Sequence, residues 1–565
     1  MRKRTKLAGV VVGAAAASLA VLAATGAAGP SISLTHVPSA NAKTSGYSRP
    51  NVLSPELQDV TWAQGSTPVE NPSNGISYYG YDDGNTFLPV PSAYVAGPPA
   101  SVTVSQATPI EASKTEPDKN TYLVLDHQSG ADKSYDYGHH FLFQGHENGS
   151  PGYITRINLD ADGPHRVTLL ATKDTSGANL PNFDGSTWDP WAKKLLFTSE
   201  SPVTGGVWQS TLDPSSTVDD LRKVIGGGGF EGIQNDDRGS LYIVEDVGGS
   251  TKANKARRAN SYVYRFLPKD PSNLAQGGTT QVLQVLDGGG QPITYADGDL
   301  TSTDNPAKFV GLHTYNTSWK TKWVDVVTTT AAQATIPDLN ALAQSNAVKG
   351  TPFKRPENGV FQPGSKFKTF YFTETGDTNA LSPATTSGGF GAVFALKQDP
   401  KSNDGSLSIL YNGDLGHAAF DNLQFFGETQ LAVVEDRGDT LHGQQPNGLD
   451  SAWMLDTEAD YSKPGNTPVR FIAEGRDASA TIDSALLGLS LPNTVFKNDG
   501  DNEITGIHVS DGDPGKGGIL GAKKPKPFRQ DGKWRAFWTQ QHGDNNTFEL
   551  IPSGANRSAG YDDGE

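Results

Sequence analysis

FEGIQNDDRGSLYIVEDVGGS runs from Phe230 to Ser250, and 190 residues later the chain repeats the pattern as FDNLQFFGETQLAVVEDRGDT, from Phe420 to Thr440. The two align without a gap. Phe230 and Phe420, Gln234 and Gln424, Leu241 and Leu431, Val244 and Val434, Glu245 and Glu435, Asp246 and Asp436, and Gly248 and Gly438 are identical pairs, and Glu231 stands over Asp421. A third copy, FDGSTWDPWAKKLLFTSES from Phe183 to Ser201, fits with one insertion and puts Asp184 over those two acids and Glu200 over Asp246 and Asp436. Looser relatives are GHENG (Gly145 to Gly149), RPENGVFQPGSKFKTFYFTETGD (Arg355 to Asp377) and NDGDNEITGI around Glu503. A turn-and-strand unit recurring along one chain is the signature of a propeller.

The texture around these units agrees. From Tyr122 onward, short β-branched and aromatic runs such as YLVLDHQ, HHFLFQG, SYVYRFLP, GAVFALK and RAFWTQQ alternate with Gly, Asn and Asp turns, the pattern of an all-β sandwich, barrel or propeller. The 64 Gly and 36 Pro in 565 residues point the same way. The reading is an all-β β-propeller of five or six blades over residues 116–552, with an N-terminal wrapping segment at 43–115 and a disordered tail at 553–565. One helix is expected within AAQATIPDLNALAQSNAV, Ala331 to Val348, broken by Pro337.

The basic start and Ala/Val/Leu run of MRKRTKLAGVVVGAAAASLAVLAATGAAG, followed by Ala40-Asn41-Ala42, read as an export signal over residues 1–42 and a secreted, extracellular protein. Its removal takes away Arg2, Lys3, Arg4 and Lys6 and no acid, moving the net charge from −16 to −20. Such a surface disfavours nucleic acid and anionic membranes as partners. The chain has no cysteine, so neither disulfides nor thiolate chemistry are available.

In a propeller the first strand of each blade lines a central channel, so equivalent positions face one axis. Asp184, Glu231, Glu357, Asp421 and Glu503 then converge at one mouth, where they must be protonated or neutralised by cations. Hard oxygen ligands in that number suit calcium best, with iron or manganese as the other fits. The opposing reading of each acid is a local turn former. Glu147, beside His146, is read as structural; Glu245, Asp246, Glu435 and Asp436 as further ligands or solvated turns. GGGG at Gly226 to Gly229 lacks the Gly-Lys-Ser/Thr of a phosphate loop, His139-His140 has no zinc-spaced partner, and no GxSxG elbow is present.

These pieces, in their order, resemble the PhoX-type alkaline phosphatases, exported bacterial six-bladed propellers with a calcium and iron cluster. The resemblance lies in GHENG with the following GYITRI, FDGSTWDPWAKKLLFTSE, FEGI, RPENG, FDNL, and EITG then QHGD, across about residues 120 to 550. It implies metal-ligand roles for Glu200, Glu231, Glu357, Asp421 and Glu503, and a phosphate-binding role for Arg355, whose guanidinium can hold two phosphate oxygens. Two departures stand out. Phe183 or Asp184 occupies the place of the family's iron-bridging cysteine, and the His before Glu231 is Phe230. A thiolate-bridged iron pair is therefore impossible, leaving a calcium-dominated site. The expectation is a monomeric, secreted, calcium-dependent hydrolase of small phosphate esters. A non-catalytic, calcium-stabilised binding propeller, or a phytase- or lactonase-like hydrolase, are the alternatives.

Overall fold

Runs of four to nine residues between tight turns leave the chain little choice but antiparallel meanders, and the computed structural model of the protein is built of them. It describes residues 32–38, 51–80, 115–298, 307–474 and 503–555, apart from positions 66, 74, 150, 446, 447, 449, 529–532 and 542–544. Most of the expected export signal, most of the wrapping segment and the tail beyond residue 555 lie outside the described residues.

The described strands form five sheets. Four meanders stand as separate sheets, beginning at the strands Pro117–Val124, Ser186–Asp189, Phe420–Phe425 and Glu503–Ser510. The fifth sheet has nine strands: two further four-stranded meanders, beginning at Phe230–Asn235 and Gly359–Phe361, are joined edge to edge through the long strand Trp319–Thr329. Each of these six first strands touches the next around a ring, and Glu503–Ser510 closes back on Pro117–Val124. The fold is a β-propeller.

The N-terminal residues finish two outer edges. Leu57–Ala63 is the outermost strand on Asn546–Pro552, so the last meander is completed by the start of the chain, and Asn51–Leu53 pairs with Val469–Glu474. Apolar clusters fill the space between neighbouring sheets; Phe183, Phe230 and Phe420, the aromatic residues that open the three clearest repeats, are all buried there. Helix is minor. In the expected helical stretch only Leu339–Gln344 is helical, starting after Pro337 with Asp338 as its N-cap, whose carboxylate accepts from Ala341 N–H. No helix among the described residues is long and apolar enough to cross a membrane.

One packed segment lies inside the expected export signal. Residues 32–38 run extended along the Val469–Glu474 edge: the Gln430 amide accepts from Ile32 N–H and donates to Ile32 C=O at 2.8 Å each. Val37 N–H donates to Arg470 O at 2.9 Å, and Thr35 donates through N–H and hydroxyl to the Glu56 carboxylate at 2.9 and 2.6 Å. Val37 is buried, and Ile32 and Leu34 cover the cluster around Phe426 and Phe471. A cut after Ala42 would strip all of this away. A chain starting at Lys43 should therefore melt on the order of 5 °C below one starting at Ile32, measured by calorimetry on the two purified forms; equal melting temperatures would show that the segment adds nothing to the fold.

Candidate metal centre

The repeat places its acid by three local devices. The aromatic residue anchors the strand start in the core. A register shift follows: between Phe230 and Ile233, between Phe420 and Leu423, and between Pro117 and Asn120 the ladder is irregular, each time bracketing an acid and its successor. Such bulges re-aim a side chain that regular alternation would send elsewhere. A threonine on the preceding meander then holds the acid's own backbone: the hydroxyls of Thr198, Thr373 and Thr539 donate to the carbonyls of Glu231, Asp421 and Asp118. The small residue after the acid is needed for close approach; a Cβ at Gly185 would lie 2.1 Å from Glu231 O.

The result is a ring of carboxylates at one end of the channel. Oxygens of Asp184, Glu200 and Glu231 lie within 4.8 Å of one another, as do those of Glu231, Glu357 and Asp421, with Glu231 shared. Glu503 belongs to the same field, facing Asp436, Glu147 and Asp421, but stands outside the two tight groups. Asp184, Glu231, Glu357 and Asp421 are all more than nine-tenths buried. Burial first, and then the neighbouring carboxylates, hold Asp184, Glu231 and Glu357 well above the ordinary carboxylate range; Asp421 and Glu503 are raised for the same reasons. Glu200 is raised too, by burial and by Asp246, against the pull of Arg355.

Three further acids join this ring. Asp118 enters from Pro117–Val124; Thr505 donates to its Oδ1, its Oδ2 has no partner among the described residues, and burial pushes it up to about 6. Glu147, read from sequence as structural, faces Asp118 and Asp184 and accepts from Gln541 Nε2 at 2.5 Å. Asp436 faces Glu503 and Asp421. Within the repeated Glu-Asp pairs the two residues part company. Glu245 turns into its own sheet, accepting from Tyr262 N–H, Tyr264 OH and Asn340 Nδ2, and Glu435 accepts from Ala418 N–H and pairs with Arg437 at 3.2 Å. Asp246 instead points to the mouth.

There it meets Arg355, which has a positive φ of 58°. Arg355 Nε and Nη2 lie 2.9 and 2.7 Å from Asp246 Oδ2, and Nη2 is 3.4 Å from Glu357 Oε1. Thr375 hydroxyl donates to Glu357 from the other side. A second guanidinium, Arg257, stands near Arg355 and Asp246. Lys119, the residue after Asp118, is fully buried with its ammonium on Asn358 Oδ1; burial lowers it to about 8, against the attraction of Asp118, Asp421 and Glu231. Of the two residues standing where a cysteine was expected from the resemblance, Phe183 is core, packed on Phe197 and Trp208, and Asp184 faces the mouth. The repeated Gln234 and Gln424 are each buried, with Nε2 unpaired among the described residues.

Residues 228–450 match the family model of alkaline phosphatase PhoX. Over those residues the chain is similar to that family. The solved structure of Pseudomonas fluorescens PhoX in complex with vanadate, a transition state analogue, superposes on this chain with a TM-score of 0.51 at 11% identity, covering 93% of this chain and 99% of that one. Sqt1 from Chaetomium thermophilum (TM-score 0.33, 10% identity, 77% and 83% covered) and the periplasmic gluconolactonase PpgL of Pseudomonas aeruginosa (0.28, 11%, 74% and 96%) are more distant. No curated protein matches the chain.

The donor set fits a hard cation: crowded carboxylates, buried oxygens of Asp184 and Asp118 without a partner among the described residues, and no cysteine ligand. Stripped of cations, the ring holds protons that the unfolded chain releases, since its folded pKa values lie above the unfolded ones. Its contribution to stability is then present near pH 4 and is lost as pH rises through about 6 and beyond. In excess chelator the melting temperature should fall across that range, and added calcium should restore it at neutral pH. A chelated protein with a flat profile, unmoved by calcium, would mean that these acids do not share one field.

Proposed function

We propose that this chain is an exported, calcium-dependent phosphatase that transfers the phosphoryl group of small phosphate esters to water at the mouth of the propeller channel. The observation carrying this reading is the carboxylate ring with Arg355 at its edge, in a chain whose residues 228–450 match a phosphatase family. Its export would follow from the basic, Ala-rich start, with cleavage among the small residues Ala23 to Ala28, upstream of the docked Ile32.

In this reading Glu231, Glu357 and Asp421 would hold one cation and Asp184, Glu200 and Glu231 another, with Glu503 and Asp118 completing the ring. Bound cations supply the charge that polarises phosphate oxygens and acidifies a water nucleophile. Asp246 fixes the Arg355 fork through Nε and Nη2, which leaves Nη1, free of hydrogen bonds among the described residues, to reach a phosphate oxygen. Glu357, braced by Thr375, orients the same guanidinium. Fixed donors aimed at developing phosphoryl charge act without reorganisation. The reading is of a monomer with no nucleic-acid or membrane partner, in which iron has no place as a thiolate-bridged pair.

The second reading, a non-catalytic calcium-stabilised propeller, is favoured by the ion pairs that already occupy two of the three Arg355 nitrogens. Two sets of variants separate them. Arg355→Lys keeps the charge and loses the fork, so phosphatase turnover should fall by about 100-fold or more with calcium content unchanged. Glu231→Ala and Asp421→Ala should each lose both hydrolysis and bound calcium while remaining folded when calcium is supplied. A broad phosphate-ester screen of the wild type with calcium, iron or manganese that releases no phosphate would leave the binding module standing.

A further inference from the structure

Directly below the carboxylates lies a layer formed by the residues that follow them. In five of the six first strands the successor is Lys119, Gly185, Gly232, Asn358 or Asn422. Four of these are neutral and one is a cation. The Lys119 side chain crosses this layer to donate to Asn358 Oδ1, and it fits because Gly232 is bare: a Cβ there would stand 2.6 Å from that same oxygen. Asn358 follows Glu357 and Gly232 follows Glu231, two acids whose oxygens lie within 4.8 Å of each other and of Asp421. The ammonium is therefore buried under the tight group, 1% exposed, with one described partner that is uncharged. An amide does not compensate a buried charge. Only the carboxylates above it can.

We propose that Lys119 is a cation the protein supplies to its own metal centre, seated at the floor of the channel where it stands in for one metal ion and limits how many the ring takes up. This rests on the metal reading of the site. A mobile ion leaves when chelated; a side chain does not, so Lys119 keeps part of the ring compensated in the metal-free protein. Arg355 plays a different part: from the outer edge its guanidinium pairs with Asp246 and reaches Glu357.

The experiment uses the full chain, stripped with chelator and re-equilibrated with calcium alone, with bound calcium counted by elemental analysis. Wild type, Lys119→Arg and Lys119→Met are compared, with Lys119→Gln, whose amide can keep a contact to Asn358, replacing Lys119→Met should that variant fail to fold. Lys119→Met should bind about one more calcium per chain than wild type, Lys119→Arg the same number as wild type, and in excess chelator Lys119→Met should melt well below both. An unchanged calcium count in Lys119→Met, or a reduced one, would make Lys119 a scaffold residue and overturn the proposal while leaving the metal centre intact. A wild type that binds no calcium would overturn both together.

Discussion

Mutual repulsion among carboxylates is the constraint around which this structure is arranged. A propeller has one axis, and any side chain repeated at the start of each first strand is delivered to it. Here the delivered groups are Asp118, Asp184, Glu231, Glu357, Asp421 and Glu503, and the ends of the second strands add Glu147, Glu200, Asp246 and Asp436. At buried sites, like charges a few ångströms apart oppose one another by several kcal/mol even at a generous dielectric, about 4 kcal/mol per pair at 4 Å. No arrangement of their own hydrogen bonds offsets that, so the ring needs protons or cations to exist.

What holds the ring is backbone architecture rather than the acids' own contacts. Phe183, Phe230 and Phe420 tie the strand starts into the apolar clusters between sheets. The register shifts turn the acids toward the axis, and the threonines of neighbouring meanders grip their carbonyls. Because the gripping residue always belongs to the adjacent unit, the centre can form only when the ring has closed. That closure is completed by Leu57–Ala63 against Asn546–Pro552, which couples an N-terminal strand of the chain to the geometry of a site built from its middle.

The sequence makes the fold and the heart of the site legible because Phe-acid-small is a local pattern repeated in frame: Asp184, Glu231 and Asp421 could be found by aligning the chain with itself, and the structure brings all three into the tight groups. The rest depends on closure. Asp118 follows a proline rather than an aromatic residue and shows nothing of the repeat, yet its register shift gives it the same aim. Glu147 resembles a turn residue until the last meander sets Gln541 beside it. The opposite fates of Glu245 and Asp246, neighbours in sequence, follow from strand alternation and become visible only once one face of the sheet is known to be the mouth. Lys119 has no motif at all, because its meaning lies in Gly232 and Asn358 on two other units.

The departures from the resembled family then belong to a single physical change. A cysteine at the mouth would supply a soft, negatively charged ligand suited to iron. Where this chain could have carried it, Asp184 adds one more hard oxygen and Phe183 extends the core, and the chain has no cysteine anywhere. A ring made of oxygen donors alone lacks that soft ligand, and it carries more uncompensated negative charge that a fixed ammonium beneath it can offset. On the proposed reading, the loss of the thiolate and the buried lysine are two sides of one adjustment: the centre exchanges ligand softness for charge, and the protein provides part of the counter-charge itself.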